Sequence, residues 1–255
     1  MGTPVRRIAI VAALEREVRP LVRTWRRRTA LLVRDDWTSE AVCFDKNGVL
    51  VVCGGIGQDA AFMAADMALA EGGAEVLVSA GFAGALRPEA KIADVFCPAV
   101  VVGAETGMRF RTLGGRGTLV SSLRVLEPQE KRDLGARLEA EAGDMEAVAL
   151  AALAQQRGVG FLAVKAISDE MDSGLPPVAR FVDSAGRFQT ARFLMHVALR
   201  PRLWPKVRRL ARDTERAAQA LCRQLELLLT DEGFEDFVGG RMPSALGFWR
   251  DNKNG

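Results

Sequence analysis

A chain of 255 residues that is 49% hydrophobic can bury one large α/β core and is short for two full domains. Charged residues, 26% of the total, break every apolar run before the roughly 20 residues that a bilayer crossing needs, which excludes a membrane-spanning helix. A net charge of +3 is too small for a dense nucleic-acid-binding face, and the single His196 excludes histidine-rich metal sites.

In chain order, Arg6-Arg7 leads directly into Ile8-Ala9-Ile10-Val11-Ala12-Ala13. That run is too short for a secretory signal core and reads as a buried first strand over 7–13, so a cytoplasmic protein is expected. Further strands are predicted at 49–53, 76–79, 95–102 and 161–166, and helices at 58–71, 128–138, 145–157 and 203–229. The unbroken apolar Val76-Leu77-Val78 suits a central parallel strand buried on both faces. The alternation implies an α/β fold, a three-layer αβα sandwich around a central mixed, mostly parallel twisted sheet. Residues 1–230 read as one domain. Residues 231–255 lose the periodic pattern and read as a tail, either disordered or draped over the body, with Phe234, Phe237 and Trp249 favouring draping. The scattered, apolar-flanked Cys43, Cys53, Cys97 and Cys222 read as buried free thiols.

Between the strand ending at Cys53 and the next helix, Gly55-Ile56-Gly57-Gln58-Asp59-Ala60 fits a dinucleotide-binding glycine pattern. That site also requires an acid at the end of the following strand, and Ser79-Ala80 stands there instead. An NAD-dependent oxidoreductase is therefore set aside in favour of a tight turn.

Ligands of open α/β sheets bind past the strand C-termini, which selects residues 14–18, 54–57, 80–86, 144–147 and 168–172. Of the acids in these segments, Glu17, Glu146 and Asp169 carry the argument. Each has a bland explanation, Glu146 as a carboxylate favoured by a helix dipole and Asp169 as an N-cap; three acids at strand ends together favour chemistry.

The motifs Ile8-Ala9-Ile10-Val11-Ala12-Ala13-Leu14-Glu15-Arg16-Glu17-Val18, Gly54-Gly55-Ile56-Gly57, Ser79-Ala80-Gly81-Phe82-Ala83-Gly84-Ala85-Leu86, Asp144-Met145-Glu146-Ala147 and Ala166-Ile167-Ser168-Asp169 resemble, in this order, the purine nucleoside phosphorylase and nucleosidase superfamily. The likeness spans residues 5–172 and is strongest to methylthioadenosine/S-adenosylhomocysteine nucleosidases. It implies cleavage of the N-glycosidic bond of a 5′-modified adenosine, with Asp169 protonating N7 of the base, Glu146 binding the ribose 2′- and 3′-hydroxyls and Glu17 positioning water. Met145, Ser168, Val125, Leu126, Phe82, Gly81 and Ala80 complete the implied substrate pocket. The implied acid works when a dry site keeps its proton on, a contribution of roughly 10²- to 10⁴-fold. The resemblance further implies a homodimer or higher oligomer, no metal or cofactor, and phosphate only as a co-substrate if the reaction is phosphorolysis.

The chain departs from the pattern in three places. Phe82 stands where a Ser or Thr helps hold water or phosphate, Ser79 where hexameric phosphorylases carry a phosphate-binding Arg, and Val125 where an aromatic residue stacks on the base. Hydrolysis and phosphorolysis both stay open, with Ser79, Arg109, Arg111 and Arg124 as candidate anion ligands. Phe82 also motivates a rival reading, a nucleoside-binding protein of the same fold that has lost its nucleophile site. Past Asp169, the segments Met171-Asp172-Ser173-Gly174-Leu175-Pro176-Pro177, Phe181 and Gly186-Arg187-Phe188 are similar to the hopanoid-associated phosphorylase branch, implying an adenosylhopane-like substrate. The basic stretch 200–212, with Arg200, Arg202, Trp204, Lys206, Arg208, Arg209 and Arg212, reads first as a solvated helix face and second as a peripheral contact with an anionic membrane.

Overall fold

The computed structural model describes residues 7–34, 37–173, 181 and 204–239. They form, in order, β1 (Ile8–Ala12), α1 (Glu15–Val22), β2 (Arg26–Arg34), β3 (Trp37–Lys46), β4 (Val49–Cys53), α2 (Gln58–Gly72), β5 (Val76–Ala85), β6 (Val95–Phe96), β7 (Val100–Gly103), β8 (Arg109–Arg111) and β9 (Thr118–Ser121). After these come α3 (Pro128–Leu138), β10 (Ala142–Asp144), α4 (Ala147–Arg157), β11 (Gly160–Asp169), α5 (Trp204–Leu228) and α6 (Asp231–Val238). All strands join one mixed sheet, ordered β2-β3-β4-β1-β5-β10-β9-β7-β8, with β11 beside β5 and β6 beside β11.

The period of two in the strands sorts their side chains onto two helical layers. From β1, Ala9 and Val11 face the layer of α2 and α4, where Ala61, Ala64, Ala65, Ala68, Leu150 and Leu153 pack. Ile8, Ile10 and Ala12 face α1 and α5, meeting Val18, Leu21, Val22, Leu221 and Leu225. β1 runs parallel to both β4 and β5, and β5 runs parallel to β11, so the buried centre of the sheet is parallel. Antiparallel pairing occupies the β2-β3-β4 meander and the short β6, β8 and β10 contacts.

Several boundaries differ from the sequence expectation. The run 95–102 splits into β6 and β7, and the helix expected from 145 begins at Ala147. Residues 231–238, assigned to the tail, form α6, capped by Thr230 Oγ1 accepting from Gly233 N–H at 3.0 Å. Phe234 and Phe237 are buried against the α1–α5 side of the core, so this part of the tail belongs to the body; Trp249 lies outside the described residues. Arg200, Arg202, Leu175 to Pro177 and Gly186 to Phe188 also lie outside them. Trp204, Arg208, Arg209 and Arg212 are exposed on α5. No helix among the described residues is long and apolar enough to cross a membrane. All four cysteines are free and buried.

Candidate active site

The five selected segments converge because the parallel strands end side by side. β1 delivers α1 with Glu17, β4 delivers the glycine turn, and β11 ends at Asp169. β5 runs on past its neighbour β1 and lays Ala80 to Ala85 beneath the site. Between them lies a cavity of about 150 Å³ whose walls include Phe82, Val125, Leu126, Met145, Glu146, Ser168 and Asp169. Glu17, Ala80 and Gly81 do not line this cavity. They are buried beside it, with Phe82 N–H donating to Glu17 Oε1 at 3.4 Å.

Glu17 sits at the third position of α1, and its Oε2 accepts from Leu14 N–H at 3.0 Å, the reach of a carboxylate that closes a helix start. Gly81 makes room for it: a Cβ on Gly81 would stand 3.3 Å from Glu17 Oε2. Burial pushes the Glu17 carboxyl above the usual range, against the opposing pull of Leu14 N–H and the Lys165 charge. A water hydrogen-bonded to this carboxylate would meet a base of raised proton affinity.

Glu146 links the glycine turn to the start of α4. Its Oε1 accepts from Gly57 N–H at 2.9 Å and its Oε2 from Met145 N–H at 3.2 Å. The Gly55 to Gly57 turn thus presents a backbone donor to a carboxylate. Burial first, and then the charge of Asp144, push Glu146 up to about 7. If Glu146 binds the ribose as the resemblance implies, both of its oxygens can accept hydroxyls only once the proton has left, and KM for a ribonucleoside is then expected to fall as the pH rises through about 7. Measuring KM from pH 5.5 to 8.5 tests this, and Glu146→Gln should flatten that dependence. The same shift bears on stability. Between the ordinary 4.5 and about 7 the folded chain holds a proton that the unfolded chain has lost, so this group's contribution falls as the pH rises across that window.

Two lysines that do not stand out in the sequence complete the electrostatics. Lys165, in the middle of β11, is 1% exposed. It lies 2.8 Å from Asp144 Oδ2 and donates to Ser79 Oγ at 3.0 Å. Burial favours its neutral form, but the carboxylates of Asp144 and Glu146 outweigh that and raise its affinity for the proton. Asp144 also accepts from Ala147 N–H at 3.0 Å and so anchors the first turn of α4. A signal for Lys165 was available: a lysine inside Phe161-Leu162-Ala163-Val164-Lys165-Ala166-Ile167 must have a buried counter-charge if the run is a central strand. Lys131, from α3, forms a buried ion pair with Asp169. The polar pattern of α3 holds no sign of it.

Asp169 thus sits on the cavity wall with a buried lysine as its partner. Its Oδ2 meets the Lys131 ammonium, and its Oδ1 accepts from Ser168 Oγ at 2.8 Å. It closes β11 at a register shift against β5 between Ile167 and Asp169, which sets it off the regular ladder. No helix starts there, so an N-cap role does not apply. Of the candidate anion ligands, Ser79 is engaged by Lys165, and Arg124, on the cavity wall, pairs with Glu130. Arg109 and Arg111 are exposed on β8 at the sheet margin.

A sequence profile of the phosphorylase superfamily matches residues 7–117 and 102–194. No curated protein matches the sequence. Among solved structures, the methylthioadenosine/S-adenosylhomocysteine nucleosidase of Helicobacter pylori is similar with a TM-score of 0.64 at 17% identity, covering 90% of this chain and 100% of the other. The futalosine hydrolase of the same organism gives 0.62 at 17% identity, with 89% and 98% covered. The methylthioadenosine/S-adenosylhomocysteine nucleosidase of Neisseria meningitidis, in complex with methylthio-immucillin-A, gives 0.60 at 19%, with 86% and 96% covered. At these identities the likeness is one of fold.

Proposed function

We propose that this chain, which belongs to the phosphorylase superfamily, hydrolyses the N-glycosidic bond of a 5′-modified adenosine and releases adenine. Similar folds carry methylthioadenosine and S-adenosylhomocysteine in their names, which supports an adenosine-type nucleoside with an enlarged 5′ group. A long apolar 5′ group of the adenosylhopane kind belongs to the same chemical class.

One observation carries the choice of hydrolysis. Every cation at the site is already matched to a carboxylate: Arg124 to Glu130, Lys131 to Asp169 and Lys165 to Asp144. Glu17 and Glu146 add two more carboxyl groups, both held by backbone N–H donors, and no cation. A phosphate dianion would enter against these carboxylates, and the cations that line the cavity, Arg124 and Lys131, are both already paired. Water suffers no such repulsion.

In this reading Glu146 holds the ribose diol and places negative charge near the cationic character that develops at C1′. Glu17, fixed by two backbone N–H groups, accepts the proton of the attacking water. Asp169 delivers a proton to N7, since a purine anion leaves poorly. Val125 and Leu126 offer the base an aliphatic wall in place of an aromatic one.

The test is adenine release from methylthioadenosine, S-adenosylhomocysteine and a 5′-alkyl adenosine, each with and without phosphate. The expected result is release from at least one of them without phosphate, unaccelerated by its addition. Strict phosphate dependence would overturn hydrolysis. Binding of all three without any release would establish instead the nucleoside-binding protein that Phe82 suggests.

A further inference from the structure

The Lys131–Asp169 pair does more than neutralise charge. Lys131 and Asp169 have side chains 4% and 7% exposed, and Lys131 Nζ also donates to Glu170 O at 3.3 Å. Space for the pair is reserved by Gly84 on β5. A Cβ at that position would lie 3.0 Å from Asp169 Oδ2 and 3.3 Å from both Cε and Nζ of Lys131. The other charged groups around the pair have partners of their own: Arg124 with Glu130, Arg132 with Asp172, Lys165 with Asp144, and Arg209 with Asp213 and, at 3.9 Å, Glu170. Glu146 lines the same cavity with its carboxyl held by Gly57 and Met145 N–H.

In an ion pair the proton resides on nitrogen, and a carboxylate has none to give. Yet the base needs one to leave. We propose that Lys131 is the positioning residue that stores this proton and passes it to Asp169 as Asp169 protonates the departing purine. The proposal rests on the reading of this site as one that cleaves a purine N-glycosidic bond.

The transfer balances. The C1′–N9 bond breaks with its electron pair on the purine. N7 takes a proton from Asp169, and Asp169 Oδ2 takes one from the Lys131 ammonium, which becomes a neutral amine. The oxygen of water bonds to C1′ and its proton goes to Glu17. Solvent then reloads Lys131 and unloads Glu17, so the net change is nucleoside plus water to base plus ribose.

The experiment compares Lys131→Met and Lys131→Arg with the wild type on two substrates. One is the adenosine derivative cleaved fastest, and the other is 4-nitrophenyl β-D-ribofuranoside, whose nitrophenolate leaves without a proton. Lys131→Met is expected to lose at least about 100-fold in kcat on the nucleoside while staying within about 3-fold of wild type on the nitrophenyl riboside. Lys131→Arg keeps a cation but one that does not give up its proton, and is expected to remain as slow as Lys131→Met on the nucleoside. Recovery of the nucleoside rate in Lys131→Arg would overturn proton storage and leave a merely orienting cation. Equal loss on both substrates in Lys131→Met would also overturn it, in favour of a structural role. Both of those results differ from a wild type inert toward every nucleoside, which would sink the glycosidic reading itself and this proposal with it.

Discussion

Replacing Asp169 by Asn should reduce adenine release by about 10³- to 10⁴-fold, the upper part of the range that a positioned general acid contributes. The amide can still donate a hydrogen bond to N7 but transfers no proton, so the loss should fall on kcat more than on KM. The side-chain contacts predict a second consequence. Asp169→Asn leaves the Lys131 ammonium buried without its counter-charge, and breaking a buried pair in this way costs about 3 to 5 kcal/mol. The variant should therefore melt well below the wild type. Pairing it with Lys131→Met removes the stranded charge and should recover much of the lost Tm while leaving the rate where it was. Recovery of both would mean that Asp169 acts on the fold alone. Full activity in Asp169→Asn would remove the acid from the mechanism.

The parts of the fold that the sequence made legible are those whose pattern is local. The strand at 49–53 and the helix at 128–138, which begins with Pro128 at a first-turn position, were placed correctly. β2 and β3 do not stand out in the sequence, because Arg26-Arg27-Arg28 looks like surface and β2 buries little more than Leu32. The β2–β3–β4 meander carried a signal nonetheless. Asn47-Gly48 sits between runs of strand character, and both residues adopt the positive φ of a two-residue hairpin turn, 51° and 81°. At the site, Glu17, Glu146 and Asp169 stood out because carboxylates at strand ends are conspicuous in one dimension. Lys131 did not. Its neighbours in sequence, Gln129, Glu130, Arg132 and Asp133, belong to a solvated helix, and the approach of α3 to β5 is what turns Lys131 inward beside Gly84.

The Glu17→Gln variant should lose about 10²- to 10³-fold in kcat with little change in KM, since water rather than the nucleoside is its ligand. Gln offers one carbonyl oxygen where two backbone donors, Leu14 N–H at 3.0 Å and Phe82 N–H at 3.4 Å, each face a carboxylate oxygen. Its amide nitrogen must confront one of them, so a modest destabilisation, on the order of 1 kcal/mol and visible as a lower Tm, should accompany the loss of rate. The nitrophenyl riboside separates this residue from the acid. Asp169 and Lys131 serve the leaving group and become dispensable when that group needs no proton, whereas water must still be activated at C1′. Glu17→Gln should therefore be slow on both substrates. If it is slow on the nucleoside alone, Glu17 serves the base and not the water, and the two carboxylates have exchanged the roles assigned to them.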